Sequence, residues 1–261
     1  MAAPYELIYY TGVPGRGEHV RLILEEAGAP YTDTRPLPMD KCREIVTHYL
    51  SGEEQGNPPY YAPPLFKHGD LLISQTSNIL MYLGPKLGLA GSRENDIYRV
   101  NALALTALDG LSNEVHDCHH PIVSELYYED QKEESLRRSK EWVKHRLPKH
   151  LGYWEKVLKS EDRGQGPWLL RSTFTYADLV LFQASSPITV STCRPCLDGV
   201  QFAFPKAMKQ ARESGKYDSV FQLWKDVKAR PNIAAYLDSD RRQKYDWGIY
   251  RYYPDNDVLP E

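Results

Sequence analysis

Apolar and polar positions change period twice within the first thirty residues. Residues 5–10, YELIYY, are apolar, aromatic and β-branched and predict a strand; the Gly- and Pro-punctuated loop Thr11-Gly12-Val13-Pro14-Gly15 stops it. From Arg16 the run RGEHVRLILEEAG puts Val20, Ile23, Leu24 and Ala27 on one face and closes at Gly28, which predicts a helix. A second strand over 31–36 and a short helix around Lys41–Leu50 follow, then a loop rich in Pro, Gly and charge. Tyr61 to Gly88 predicts a short strand ending at Phe66, a turn at His68-Gly69-Asp70, a strand to Ile73 and a helix from Gln75 to about Leu87. The order over residues 1–88 is therefore β-α-β-α-β-β-α.

Beyond the polar link 91–96 the period stays helical, over 97–127, 131–159, 175–190 and 217–238, with no strand run among them. This predicts an α/β domain over 1–88, an all-α domain over 96–242 and an aromatic tail over 243–261. The tail, with Tyr245, Tyr250, Tyr252 and Tyr253, is too aromatic to be disordered and is expected to pack against something or to cover a site.

Charge and composition then remove whole classes. Lys and Arg number 32 against 35 Asp and Glu, so the net charge of −3 offers no broad attraction to nucleic acid or an anionic membrane. The uncharged stretches are too short to span a bilayer, and Glu6 interrupts an N-terminus that has no basic leader, so no signal peptide is expected. Four cysteines in 261 residues do not make a disulfide scaffold, and a reducing, cytoplasmic setting is expected. The 19 tyrosines against six phenylalanines raise one question: which hydroxyl, if any, does chemistry.

Three motifs carry the candidate chemistry. Pro63, in Tyr61-Ala62-Pro63-Pro64-Leu65, stands where a cis-proline would open the third strand and free the preceding backbone to pair with a peptide; a merely rigid loop is the plain alternative. Gln75-Thr76 opens a helix directly after a strand, where unpaired N–H groups favour a carboxylate, although ordinary capping would also use Thr76. Thr175 and Asp178, preceded by Phe174, form a capping box with its hydrophobic staple. His116, Cys118, His119, His120 and the pair Cys193 and Cys196 are metal-ligand types, but a single C-x-x-C lacks the second pair that zinc ribbons show, and no metal is expected.

Tyr10, Arg16, Ala62-Pro63-x-Leu65, Gln75-Thr76-x-x-Ile79-Leu80 and Phe174-Thr175-x-x-Asp178 occur in an order that resembles the cytosolic glutathione transferases over about residues 4–240. The resemblance implies a thioredoxin-like glutathione-binding domain followed by a helical domain that carries the electrophile site. It further implies a homodimer using glutathione as co-substrate, a detoxifying conjugation to small hydrophobic electrophiles, and neither nucleic-acid nor membrane partners. Residues 11–18 contain no Ser or Cys, so the chain is similar to the tyrosine-type classes. Counting back from Gly15-Arg16 selects Tyr10 over Tyr9 as the catalytic hydroxyl, the two pointing to opposite faces. By the same resemblance Gln75 and Thr76 hold the γ-glutamyl end, Ala62 contacts the cysteinyl unit and Arg16 lies near the tyrosine. Asp109 reaches the partner subunit's glutathione, and Lys41 or Arg43 replaces a missing Trp/Lys contact to the glycyl carboxylate. Val13, His116 and His119 are expected at the electrophile surface. A non-catalytic member of the fold is the alternative from another class. An isomerase or peroxidase using the same thiolate is the alternative within it.

Overall fold

A computed structural model describes residues 4–52, 59–160, 166–170, 172–185, 199–243 and 249–259. Strands β1 (Tyr5–Ile8), β2 (Tyr31–Asp33), β3 (Leu65–His68) and β4 (Leu71–Ser74) form one sheet in the order β2-β1-β3-β4. β1 runs parallel to β2, and the β1–β3 and β3–β4 pairs are antiparallel. Helices α1 (Gly17–Glu26), α2 (Met39–Leu50) and α3 (Thr76–Lys86) complete the β-α-β-α-β-β-α order that the hydrophobic pattern predicts.

Alternation along β1 sorts the two faces of this sheet. Leu7 joins Val20, Ile23, Phe66, Ile79 and Leu80 in the large core, whereas its neighbour Ile8 packs with Cys42, Val46, Leu65 and Leu72 beneath α2. α1 and α3 thus cover one face and α2 the other. Full burial of each such aliphatic side chain contributes about 1.5–3 kcal/mol.

The helical region comprises α4 (Asp96–Leu105), a π-helical segment (Thr106–Ser112), α5 (Asn113–His119), α6 (Lys132–Glu141), a second π-helical segment (Trp142–Arg146) and α7 (Leu147–Lys159). It continues through α8 (Tyr176–Ser185), α9 (Gly199–Ala203), α10 (Pro205–Glu213), α11 (Asp218–Lys228) and α12 (Pro231–Leu237). The expected single helix over 97–127 stops at His119. Pro121 follows two residues later, and the residue before a proline is driven out of the helical region: His120 has φ −131° and ψ 64°. Pro231 likewise stands at a helix start, where a missing N–H costs nothing, and divides the expected run 217–238, whereas the expected run 131–159 stays helical from Lys132 to Lys159 through the second π-helical segment. The acidic half of the capping box forms: Asp178 accepts from the N–H groups of Leu169 and Thr175, both at 2.8 Å, and from the Thr175 hydroxyl at 2.9 Å, while the Asp178 N–H donates to the Thr175 carbonyl at 3.1 Å.

The large core runs without interruption from the sheet into the helices, because α1 packs on α8 and α12, and α3 on α4. No helix among the described residues is long and apolar enough to cross a membrane.

Candidate active site

Strand register brings the candidate segments together. Ile8 pairs with Leu65 and Leu65 with Ser74, so the C-terminal ends of β1 and β4 flank the N-terminal end of β3. Tyr9–Tyr10, Pro63–Pro64 and Gln75–Thr76 adjoin those three ends and share one edge of the sheet. Two interstrand spacings of about 4.8 Å separate the outer segments by roughly 10 Å, the length of a tripeptide extended at about 3.4 Å per residue.

The two tyrosines differ completely. Tyr9 is locked into the domain: its N–H donates to Thr34 Oγ1 at 2.9 Å, the Thr34 hydroxyl donates back to the Tyr9 carbonyl, and Cys42 Sγ donates to that carbonyl at 3.2 Å. Its ring fills the space left by two glycines. A Cβ on Gly15 would collide with Tyr9 Oη, and one on Gly17 would stand 2.6 Å from Tyr9 Cγ. The Tyr9 hydroxyl accepts the Arg16 N–H at 2.9 Å, and the Arg21 guanidinium lies 5.8 Å from the ring centroid. Burial raises its pKa, and the Arg16 N–H and the charges of Arg21 and Arg16 offset that only in part. Tyr10 is 38% exposed, its ring 5.7 Å from that of Tyr9; among the described residues its hydroxyl has no hydrogen-bond partner.

At the β3 edge the cis peptide joins Pro63 to Pro64, so the cis residue is Pro64, one position later than expected. The residue before it is Pro63, which has no N–H to donate, and Ala62 is exposed one residue further back. Pro64 directly precedes the first residue of β3. At the β4 edge Gln75 has φ 70°, a left-handed conformation rare for a side chain with a Cβ, and is exposed. Its carbonyl accepts the Ile79 N–H at 2.9 Å, while Thr76, buried, begins α3. The first N–H groups of α3 therefore open at this edge of the sheet.

Arg16 joins the sheet edge to the helices. Its guanidinium donates to the Leu108 carbonyl at 3.3 Å and to Asn113 Oδ1, fastening the loop after β1 to both sides of Asp109. Asp109 is exposed on the π-helical segment. Asn113 was not among the sequence candidates, and nothing local distinguishes it. Lys41 is exposed and pairs with Glu44 at 2.8 Å, and Arg43 is exposed on the same helix.

The electrophile-side expectations divide. Val13 is half-buried in the loop after β1; the Gln243 amide bridges that loop, its NH2 donating to the Val13 carbonyl at 2.6 Å and its oxygen accepting from the Gly12 N–H at 2.9 Å. Just before it, Arg242 pairs with Glu18 at 2.9 Å; Glu18 also holds Arg21 at 3.3 Å and accepts the Tyr236 hydroxyl at 2.9 Å. His119 lies in the core. Its side chain is fully buried, stacked 6.2 Å from Phe204 and edge-on to Tyr253 at 5.4 Å, and neither ring nitrogen has a partner among the described residues. Burial, with His116 and Arg251 nearby, pushes its pKa down to about 3. His116 is half-buried, 5.2 Å from the His120 ring, its pKa pushed down to about 4 by burial and by His120.

The tail serves the helices. Tyr250 is buried against Gly199, its hydroxyl donating to Ser112 Oγ at 2.9 Å; Tyr253 stacks on Tyr128 at 3.7 Å; Asn256, fully buried, donates to Ser135 Oγ at 2.7 Å. Tyr245 lies outside the described residues, as do Cys193 and Cys196. Among the described residues no group of three or more His, Cys, Asp or Glu could hold a metal ion.

Known proteins resemble this chain in sequence and in fold. The model of the glutathione S-transferase C-terminal domain matches residues 116–240. A glutathione S-transferase of Plasmodium falciparum (isolate 3D7) is 23% identical over 247 residues, covering 92% of this chain and 98% of its own. Glutathione S-transferase P 1 of Bufo bufo is 25% identical, covering 92% and 94%. Among solved structures, the Pi-class glutathione S-transferase of Onchocerca volvulus superposes with a TM-score of 0.60 at 21% identity, over 90% of this chain and 92% of that one.

Proposed function

We propose that the chain is a glutathione transferase that activates glutathione through the Tyr10 hydroxyl for conjugation to a small hydrophobic electrophile. The observation that carries this reading is the unequal pair at the end of β1: one tyrosine is consumed by packing, and the other is exposed with no hydrogen-bond partner for its hydroxyl among the described residues. A free thiol with a pKa of about 8.5 is only a few per cent ionised near neutrality. A hydroxyl donating to bound sulfur favours the thiolate, and a lowering of about 2 units corresponds to about 2.7 kcal/mol, within the range of a charge-assisted hydrogen bond aided by a helix terminus. The thiolate then forms the new carbon–sulfur bond as the electrophile's leaving group departs or its double bond takes up the electron pair.

In this reading the tripeptide lies across the sheet edge, its γ-glutamyl end at Gln75, Thr76 and the start of α3, its cysteinyl unit beside Pro63–Pro64. Lys41 or Arg43 faces the glycyl carboxylate. Asp109 reaches the glutathione of a second subunit in a cytoplasmic homodimer. Val13 and His116 border the electrophile, and no metal takes part.

A second reading assigns the sulfur to Tyr9. It is favoured by the Arg16 N–H donated to Tyr9 Oη, since a hydroxyl that already accepts a hydrogen bond is a stronger donor. Retention on immobilised glutathione and the conjugation rate, measured for Tyr10→Phe and Tyr9→Phe, separate the two. Tyr10→Phe is expected to remain bound to the matrix and lose most of its rate. Full activity in that variant with loss in Tyr9→Phe would transfer the role, and absence of retention by the wild type would support a non-catalytic protein.

A further inference from the structure

We propose that Gln243, just beyond α12, is a positioning residue for the electrophile: its side-chain amide holds the loop after Tyr10 in the shape against which the electrophile rests. The role presupposes the reading in which Tyr10 activates the thiol and Val13 borders the electrophile. The Gln243 NH2 donates to the Val13 carbonyl at 2.6 Å, and its oxygen accepts from the Gly12 N–H at 2.9 Å. Gly12 turns the chain with φ 78°, and among the described residues neither that N–H nor that carbonyl has another hydrogen-bond partner. One amide therefore satisfies two successive residues of a loop whose backbone groups have no partner within it.

Gln243 is itself held in place, because residues 241–243 each reach a different part of the α/β domain. The Arg241 guanidinium donates to Glu25, and the Arg241 carbonyl accepts from the Arg35 guanidinium. The Arg35 carbonyl in turn accepts the Thr11 hydroxyl at 2.6 Å. Arg242 pairs at 2.9 Å with the fully buried Glu18, which also accepts the Tyr236 hydroxyl of α12 at 2.9 Å. The loop is thus gripped at Thr11 and again at Gly12 and Val13, by a segment pinned near both ends of α1. Further along the C-terminal segment, Tyr250, Tyr253 and Asn256 pack on the helical domain instead.

The same geometry decides which property Gln243 controls. Tyr10 hangs from a strand end that Gln243 does not hold. Its neighbour Tyr9 is bonded through its backbone to Thr34 and Cys42 and through its hydroxyl to the Arg16 N–H. Loss of the Gln243 amide frees the loop from Gly12 onward and leaves Tyr10 where it is. The thiolate keeps its donor while the electrophile loses a preorganised wall, so the cost falls on electrophile affinity.

Steady-state conjugation of 1-chloro-2,4-dinitrobenzene by the full chain, in which the carbon–sulfur bond forms as chloride leaves, tests this. Gln243→Met keeps the length of the side chain and removes both hydrogen bonds; Gln243→Ala removes the side chain as well. Both are expected to raise the KM for the aryl chloride about three- to tenfold, the worth of one or two neutral hydrogen bonds. The KM for glutathione, kcat and the pKa of the bound thiol are expected to stay as in the wild type, and amide exchange at Gly12 to quicken by a similar factor. Asn256→Ala, which loosens the far end of the same segment, is expected to change neither the aryl-chloride KM nor that exchange. An aryl-chloride KM unmoved by both Gln243 variants, or one that rises only together with the KM for glutathione, would overturn the role and leave the Tyr10 reading intact. A wild type that neither binds glutathione nor lowers its thiol pKa would overturn that reading, and the role with it.

Discussion

The edge of the sheet and the helical wall beside it use the same residue types in opposite ways. At the sheet edge, backbone does the positioning: register aligns three strand ends, and a tyrosine, a proline pair and a glutamine follow from them. In the helical domain, His119, Tyr250, Tyr253 and Asn256 carry the chemically suggestive groups, and packing uses them. A polar side chain is a candidate for chemistry only where the fold leaves its donor or acceptor unspent.

The sharpest way to break this contrast is Gly17→Ala. The new Cβ would meet Tyr9 Cγ at 2.6 Å, and overpacking of this kind costs about 1–3 kcal/mol, seen as a lower melting temperature; the displaced ring should also disturb the start of the loop that follows it. An unchanged melting temperature would show that Tyr9 is not wedged. Next is Asn256→Ala, which strips the tail's buried anchor and leaves Ser135 Oγ without its donor. A loss of about 1–3 kcal/mol is expected in denaturant unfolding, with glutathione affinity unaltered because the tail serves the helices.

His119→Phe probes whether that residue belongs to core or site, through pH. The unfolded imidazole protonates below 6.5 while the buried ring stays neutral down to about 3, so the unfolded state binds more protons in that window. The ring's contribution is therefore complete above pH 6.5 and is lost on acidification, with a slope approaching about 1.4 kcal/mol per pH unit. Phenylalanine should flatten that loss and leave the conjugation rate at neutral pH near that of the wild type. A large fall in rate would return His119 to the site. The smallest effect is expected from Lys41→Ala: its partner Glu44 is as exposed as it is, so stability should not change measurably, and any rise in KM for glutathione would report a contact to the glycyl carboxylate.

The sequence carries the sheet edge because strands, turns and caps have local signatures: YELIYY before a glycine-rich loop, Gln75-Thr76 after a strand, Thr175 to Asp178 before an apolar run. Even there a one-residue ambiguity persisted, since two successive prolines fit the strand opening equally and only the backbone singles out Pro64. The helical wall was less readable because helical spacing does not say which neighbour a face meets. His119 and Cys118 look like a ligand cluster in one dimension and become core when Phe204, Tyr253 and Ser135 arrive from 17 to 134 residues away. Two π-helical segments left no periodic trace, and one of them carries Asp109. The joint between Arg16, Leu108 and Asn113 spans more than ninety positions and has no sequence signature at all.

The unequal tyrosines are tested most directly by the pKa of the glutathione thiol bound to the protein, followed by thiolate absorbance across a pH titration of wild type, Tyr10→Phe and Tyr9→Phe. The expected result is a bound thiol lowered by about 2 units in the wild type and in Tyr9→Phe, where the variant folds, and returned toward about 8.5 in Tyr10→Phe. A thiol pKa unmoved by the loss of the Tyr10 hydroxyl would contradict it.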